Sequence, residues 1–315
     1  MPTVNTVKGP VDTSRLGFTL MHEHVIIRSW GVYENWPHLW DEKKIMDEAV
    51  QKLNAAKSTG VDTILELTTV DLGRDIPRLK RIAERVNLNI ICATGVWMDP
   101  QSYLRRQDSD KLCSMFVHDI VEGVAGTGVK AGCIKVASEP AVDEVNEKIL
   151  RAAARAHRRT GVPISTHTLP RNKTGTKQQD VFESEGVDHS RVVIGHSGDC
   201  PDIDYLETIL KRGSYIGMDR FGIESPITTQ QRVDTIAALC KRGHANRMVL
   251  SHDSNCHMDI LATLPAYRDR MPNWNYHYLH KSIIPMLKTA GATQQQIDTM
   301  TRDNPRKFFE KQGAY

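Results

Sequence analysis

Long apolar runs are missing from this chain of 315 residues. No stretch approaches the ~20 consecutive apolar residues that a transmembrane helix needs, so no membrane role is expected. Met1–Arg15 hold no apolar core of a secretory signal, and a cytoplasmic location is expected. Charge of one sign is also in short supply. The 41 Lys and Arg stand against 38 Asp and Glu, mixed along the chain, for a net charge of +3. Without a basic tract, nucleic acid is not an expected partner. Cysteine pairs of the C-x-x-C type are lacking. Cys92, Cys113, Cys133, Cys200, Cys240 and Cys256 are scattered, several in apolar runs, as buried reduced thiols would be. No G-x-G-x-x-G follows the first strand and no P-loop occurs, which removes support for a dehydrogenase or a kinase. No linker, low-complexity segment or long repeat divides residues 1–315, so one domain is expected.

What is present is an alternation. The stretch Gly17–Val25 reads as a short apolar strand ending in His22-x-His24. Val61–Leu67, Asn89–Gly95, Gly132–Val136, Pro163–His167, Arg191–His196, Ser214–Met218 and Arg247–Asp253 read as further strands. Helical spacing runs from Asp41 to Gly60, with Ile45, Met46, Ala49, Val50 and Leu53 on its apolar face. It recurs over 74–86, 111–124, 142–159, 177–185, 203–211, 230–241 and 278–289, and two short patterns follow at 293–301 and 303–311. Short Val/Ile-rich strands alternating with amphipathic helices predict a parallel sheet. Eight such units predict a closed (β/α)8 TIM barrel, with an open doubly wound sheet as the alternative.

Polar residues recur at the strand C-terminal ends: His22, His24, Lys135, His167, His196 and Asp253. Side chains at i and i+2 of a strand share a face, so His22 and His24 could hold one ion together. In a barrel all six converge on the mouth where active sites sit. Each would cost ~1–3 kcal/mol if buried without a partner, and a shared metal centre removes that cost. Imidazole and carboxylate suit zinc, cobalt, iron or manganese. Four histidines and an aspartate exceed one open catalytic zinc and match two bridged ions. Lys135 is the odd member, because an ammonium cannot ligate.

The ordered set GFTLMHEH, CIKVA, ISTHT, VIGHSGD and LSHD resembles the amidohydrolase superfamily. It is most similar to the phosphotriesterase family and its lactonase branch, from about Gly17 to Phe309. The resemblance implies two divalent ions, zinc first, bridged by a hydroxide and by Lys135 carboxylated on its side-chain nitrogen. His22, His24 and Asp253 would bind the more buried ion, and His167 and His196 the outer one. Asp253 would pass a proton from the hydroxide to the leaving oxygen. Asp199 would extend that proton path, or would simply cap a helix before Pro201.

For the substrate, two features diverge. Arg220, in Met218-Asp-Arg220-Phe-Gly222, looks like the lactonase branch, whereas Trp97, in Thr94-Gly-Val-Trp97-Met98-Asp-Pro100, looks closer to the phosphotriesterases. The segment from Ser254 to Trp274 is the expected lid, with Cys256, Met258, Ile260, Leu261, Leu264 and Trp274. Trp97, Met98, Arg220, Cys256, Met258 and Trp274 are the expected substrate contacts. The expected substrate is a lactone, N-acyl-homoserine lactones above all, which would make the chain quorum-quenching. An organophosphate-hydrolysing phosphotriesterase is the alternative, and a non-enzymatic relic barrel the third possibility. Trp30, Tyr33, Trp36 and Trp40 cluster after the first strand, and a homodimer is expected.

Overall fold

Strands buried on both faces need apolar residues at consecutive positions, and these strands supply them. The protein is described from a computed structural model that covers residues 1–259, 270–311 and 313–315. The strands are β1 (Thr19–Glu23), β2 (Thr63–Glu66), β3 (Asn89–Val96), β4 (Cys133–Ser138), β5 (Ile164–Thr168), β6 (Val192–Ile194), β7 (Tyr215–Met218) and β8 (Met248–Leu250). They pair in parallel, each with the next in sequence, as one eight-stranded sheet. Successive side chains divide between two cores. Met21, Leu65, Ile91, Val193 and Val249 fill the barrel interior. Their neighbours Leu20, Ile64, Ile90, Ile194 and Leu250 face the helices. That alternation is the two-residue period of a strand.

The seam between β8 and β1 is closed largely by side chains. Asp253 N donates to His22 O at 3.0 Å, and His22 N donates to Ser251 Oγ at 2.9 Å. Glu23, fully buried, accepts from Ser251 Oγ (2.9 Å), His252 N (3.0 Å) and Ser254 N (2.8 Å). The His252 ring bonds the same carboxylate at 2.7 Å and accepts from Leu279 N at 3.0 Å. The residue between the two candidate ligand histidines therefore locks the barrel shut.

The outer layer is α1 (Glu42–Ser58), α2 (Ile76–Ala83), α3 (Ser109–Val121), α4 (Glu144–Thr160), α5 (Thr174–Ser184), α6 (Ile203–Lys211), α7 (Thr229–Lys241) and α8 (Ile284–Thr289). Aspartates at 41, 75, 108, 143 and 202 cap five of them by accepting a backbone N–H of the first turn. The single helix expected over 278–289 is instead a π turn, Leu279–Ile283, followed by α8. Pro285 has no N–H to continue the α ladder, which accounts for the change. An N-terminal hairpin, Thr3–Thr6 with Gly9–Asp12, was not expected. With Phe308 and Phe309 of the last helix, its Val4 joins the core at the N-terminal end of the barrel. Ile260, Leu261 and Leu264 of the expected lid lie outside the described residues.

Candidate metal centre

A register shift between Leu20 and Glu23 interrupts the β1–β2 ladder just where the histidines begin. In a regular strand, Met21 and His22 would face opposite ways. Here Met21 fills the interior core and His22 lines the barrel mouth, so the irregularity re-aims the chain. His22 Nε2 lies 3.4 Å and His24 Nε2 3.2 Å from Asp253 Oδ1. Lys135 Nζ lies 2.9 Å from His22 Nε2. His196 Nε2 lies 2.9 Å from His167 Nδ1 and 3.8 Å from Asp253 Oδ2. All six predicted side chains thus meet at one mouth. His196 and Asp253 adopt left-handed backbone, with φ of 58° and 55°, a conformation that costs energy and gathers at functional sites.

The second nitrogen of each imidazole is fixed by a partner. Asp219 accepts from His22 Nδ1 at 3.0 Å and from His196 Nδ1 and N, each at 2.9 Å. Gly217 makes room for it, since a Cβ there would fall 2.3 Å from Asp219 Oδ2. Thr68 gives its hydroxyl proton to Glu66 and so accepts from His24 Nδ1 at 2.9 Å. Glu139 Oε2 takes His167 Nε2 at 2.7 Å. Inward-facing lone pairs are therefore Nε2 of His22, His24 and His196, and Nδ1 of His167. Fixing the ring through its other nitrogen is how proteins orient metal-binding histidines. Sequence reasoning missed Asp219, Thr68, Glu66, Glu139 and Glu23. Acidic or hydroxyl residues at or just beyond a strand end were the available signal.

The electrostatics fit a metal. Burial pushes the His22 and His196 rings below their ordinary pKa and His167 down to about 4, leaving neutral donors. Burial also lowers Lys135 to about 8, against the pull of Asp253 and Asp219. Burial alone would raise the Asp253 carboxyl, but the hydrogen bond from His24 and the Arg220 guanidinium beside it hold it well below the usual range. Ligand atoms of His22, His24 and Asp253 lie within 4.8 Å of one another. The trio His22, His196 and Asp219 is equally close, but Asp219 is already the acceptor for both rings and acts as their support.

Above the floor lies a cavity of about 450 Å³. Arg220, Trp97, Met258 and Trp274 line it, with Ile27, Leu72 and Ile223. Trp97 Nε1 donates to His167 Nδ1 at 3.4 Å, and Trp274 Nε1 donates to the carbonyls of His252 and Asp253 at 3.1 Å. Cys256 corrects the expectation: it is fully buried in the helix-facing core, its thiol beside Tyr276 Oη at 3.2 Å. Met98 is half-buried and does not line the cavity. Asp199 also departs from expectation. Arg220 Nη1 bonds Asp199 Oδ2 and Arg220 Nε bonds Asp253 Oδ2, both at 3.0 Å. A guanidinium stands between the two carboxylates and has no lone pair to relay a proton. The cap of α6 is Asp202 rather than Asp199. Among the aromatics after β1, Trp40 packs on Tyr33, while Trp30 and Trp36 are about half exposed.

Comparison with known proteins gives one consistent picture. A family model described as the phosphotriesterase family matches residues 2–309. The chain is 47% identical over 330 aligned positions to a phosphotriesterase homology protein of Mycobacterium tuberculosis, covering 100% of both. It is 37% identical to an aryldialkylphosphatase of Saccharolobus solfataricus, covering 96% of this chain and 98% of the relative. A solved structure described as the phosphotriesterase from Mycobacterium tuberculosis superposes with a TM-score of 0.95, at 47% identity and 100% coverage of each chain.

Proposed function

The chain belongs to the phosphotriesterase family, and from that premise we propose a metal-dependent hydrolase that opens lactone rings, N-acyl-homoserine lactones foremost. The observation that carries the preference is the cavity's division. Its floor is polar, with Arg220 beside Asp253, and its wall of Ile27, Leu72, Ile223, Met258 and Trp274 is mainly apolar. A polar ring suits the floor and a fatty tail suits the wall.

His22, His24 and Asp253 would hold one divalent ion, His167 and His196 the second, and Lys135, carboxylated on Nζ, would join both. The ions would supply Lewis-acid polarisation of the substrate oxygen and a water made acidic enough to attack near neutral pH. Burial favours the uncharged amine of Lys135, the form that can be carboxylated. Asp253 would take a proton at the floor and return it to the departing ring oxygen. Arg220 holds Asp253 Oδ2 in that orientation. Asp199 serves this step by holding Arg220 rather than by carrying the proton.

A second reading, an aryldialkylphosphatase, is favoured by Trp97, whose indole N–H reaches the His167 side of the floor. The test is a panel of lactones of graded tail length beside an aryl dialkyl phosphate, run on one metal-analysed sample. Larger accelerations over the uncatalysed rates are expected for long-tailed lactones. The reverse order would install the second reading, and no turnover of either after zinc or cobalt loading would leave a relic barrel. A homodimer is proposed as well, with exposed Trp30, Trp36 and Leu39 as the candidate surface. A monomer in sedimentation analysis would remove it. No helix among the described residues is long and apolar enough to cross a membrane.

A further inference from the structure

Arg232 lies on α7, does not line the cavity, and is fully buried. A buried guanidinium is kept only where its donors find acceptors. Those of Arg232 point in two directions. Nη2 and Nε reach Asp199 Oδ1 at 2.6 and 3.3 Å. Nη1 donates to the carbonyl of Ile223 and, at 2.9 Å, to that of Ile227. Ile223 and Ser225 line the cavity, so the second direction ends in its wall. The first ends at the floor, because the other oxygen of Asp199 holds Arg220 and Arg220 holds Asp253.

We propose that Arg232 is a positioning residue that ties the cavity wall to the Asp253 carboxylate. One arm fixes the loop of residues 221–228. The other fixes Arg220, through Asp199, in the place from which it orients Asp253. Arginine is needed because its planar fork serves a carboxylate and two carbonyls at once, whereas a lysine ammonium is a single point. The loop has a further brace: Glu224 accepts from Thr229 N at 2.8 Å and from Thr229 Oγ1. Loss of the Arg232 arm therefore loosens the loop without unravelling α7. The inference rests on the hydrolase reading of the floor and not on the lactone preference.

The test is hydrogen exchange on metal-loaded wild type, Arg232→Lys and Asp199→Asn. Steady-state kinetics accompany it, on whichever of a long-tailed lactone and an aryl dialkyl phosphate the wild type turns over faster. Arg232→Lys cuts both arms. Amides of 221–228 should exchange about tenfold faster, the equivalent of about one hydrogen bond, with β1–β6 unchanged. Its KM should rise and its kcat fall. Asp199→Asn keeps one acceptor oxygen for Arg232 and turns an amide towards Arg220, so it cuts the floor arm alone. Its kcat should fall about tenfold, with KM and loop exchange at wild-type values. Wild-type exchange over 221–228 in Arg232→Lys would overturn the proposal, as would equal loosening in Asp199→Asn. Should Arg232→Lys not fold, a KM rise matching the kcat loss in Asp199→Asn would overturn it alone. Failure of both substrates would refute the hydrolase reading, while exchange would still decide the role of Arg232.

Discussion

His22 and His24 lean on supports that are themselves buried, Asp219 and the Thr68–Glu66 pair, each 2% exposed or less. His167 leans on Glu139, whose side chain is 30% exposed. Trp97 also directs its indole N–H at the inward nitrogen of His167. The deep half of the centre is thus fixed by groups that water cannot replace, whereas the His167 side of the outer half is fixed by one that water can. A buried charged hydrogen bond is expensive to break, because its partner is left stranded, whereas a half-exposed one can be exchanged for water. The outer half should therefore be the adjustable one. Among these supports Asp219 spans the division, through His22 on one side and His196 on the other.

The comparison can be broken at its bridge, at its support or at one edge. Lys135→Met removes the side chain that would hold both ions. Turnover should fall more than about a thousandfold and paired loading should vanish in metal analysis, with partial rescue by short carboxylic acids. Asp253→Asn should keep the fold yet lose about a hundred- to a thousandfold in kcat, read by steady-state kinetics with metal content as control. Asp219→Asn should weaken both halves together, by about 10- to 100-fold in metal affinity. Glu139→Gln should weaken the outer half alone, by about tenfold, so that chelator titration removes one equivalent early and the second at its wild-type concentration. Equal weakening of both in Glu139→Gln would erase the distinction.

Acid supplies the smallest effect and a control. Burial lowers His157, far from the floor, to about 4, as it does His167. Below its ordinary value near 6.5 the unfolded chain binds a proton that the folded chain refuses. Stability is therefore present above about 6.5 and is lost as the pH falls towards 4. The Tm should drop across that window even in metal-free protein, and His157→Gln should flatten the drop while leaving metal content unchanged.

The barrel and the six floor residues were legible for different reasons. Consecutive Val and Ile in short runs announced strands buried on both faces, and helices of 3.6 periodicity separated them. Histidine, lysine and aspartate at the ends of such runs had no apolar role to play. Asp219, Glu139 and Thr68 also stand just beyond strand ends, but nothing local told which imidazole each would support. Asp219 is 197 positions from His22, and only closure of the barrel brings them within 3.0 Å. Glu23 looked like a spacer between two histidines, yet the seam to Ser251, His252 and Ser254 depends on it. Cys256 shared an apolar segment with Met258, but neither spacing nor hydropathy told which would turn inward. The proton path through Asp199 failed because the sequence placed Arg220 near the pocket and not between the two carboxylates.

The most direct measurement is release of metal from the loaded wild type under increasing chelator, with elemental analysis at each step. Two equivalents per chain leaving in two separated phases, the first of them made easier by Glu139→Gln, is the predicted result. One equivalent per chain, or both leaving together and indifferent to Glu139, would contradict a centre built as a fixed deep half and an adjustable outer half.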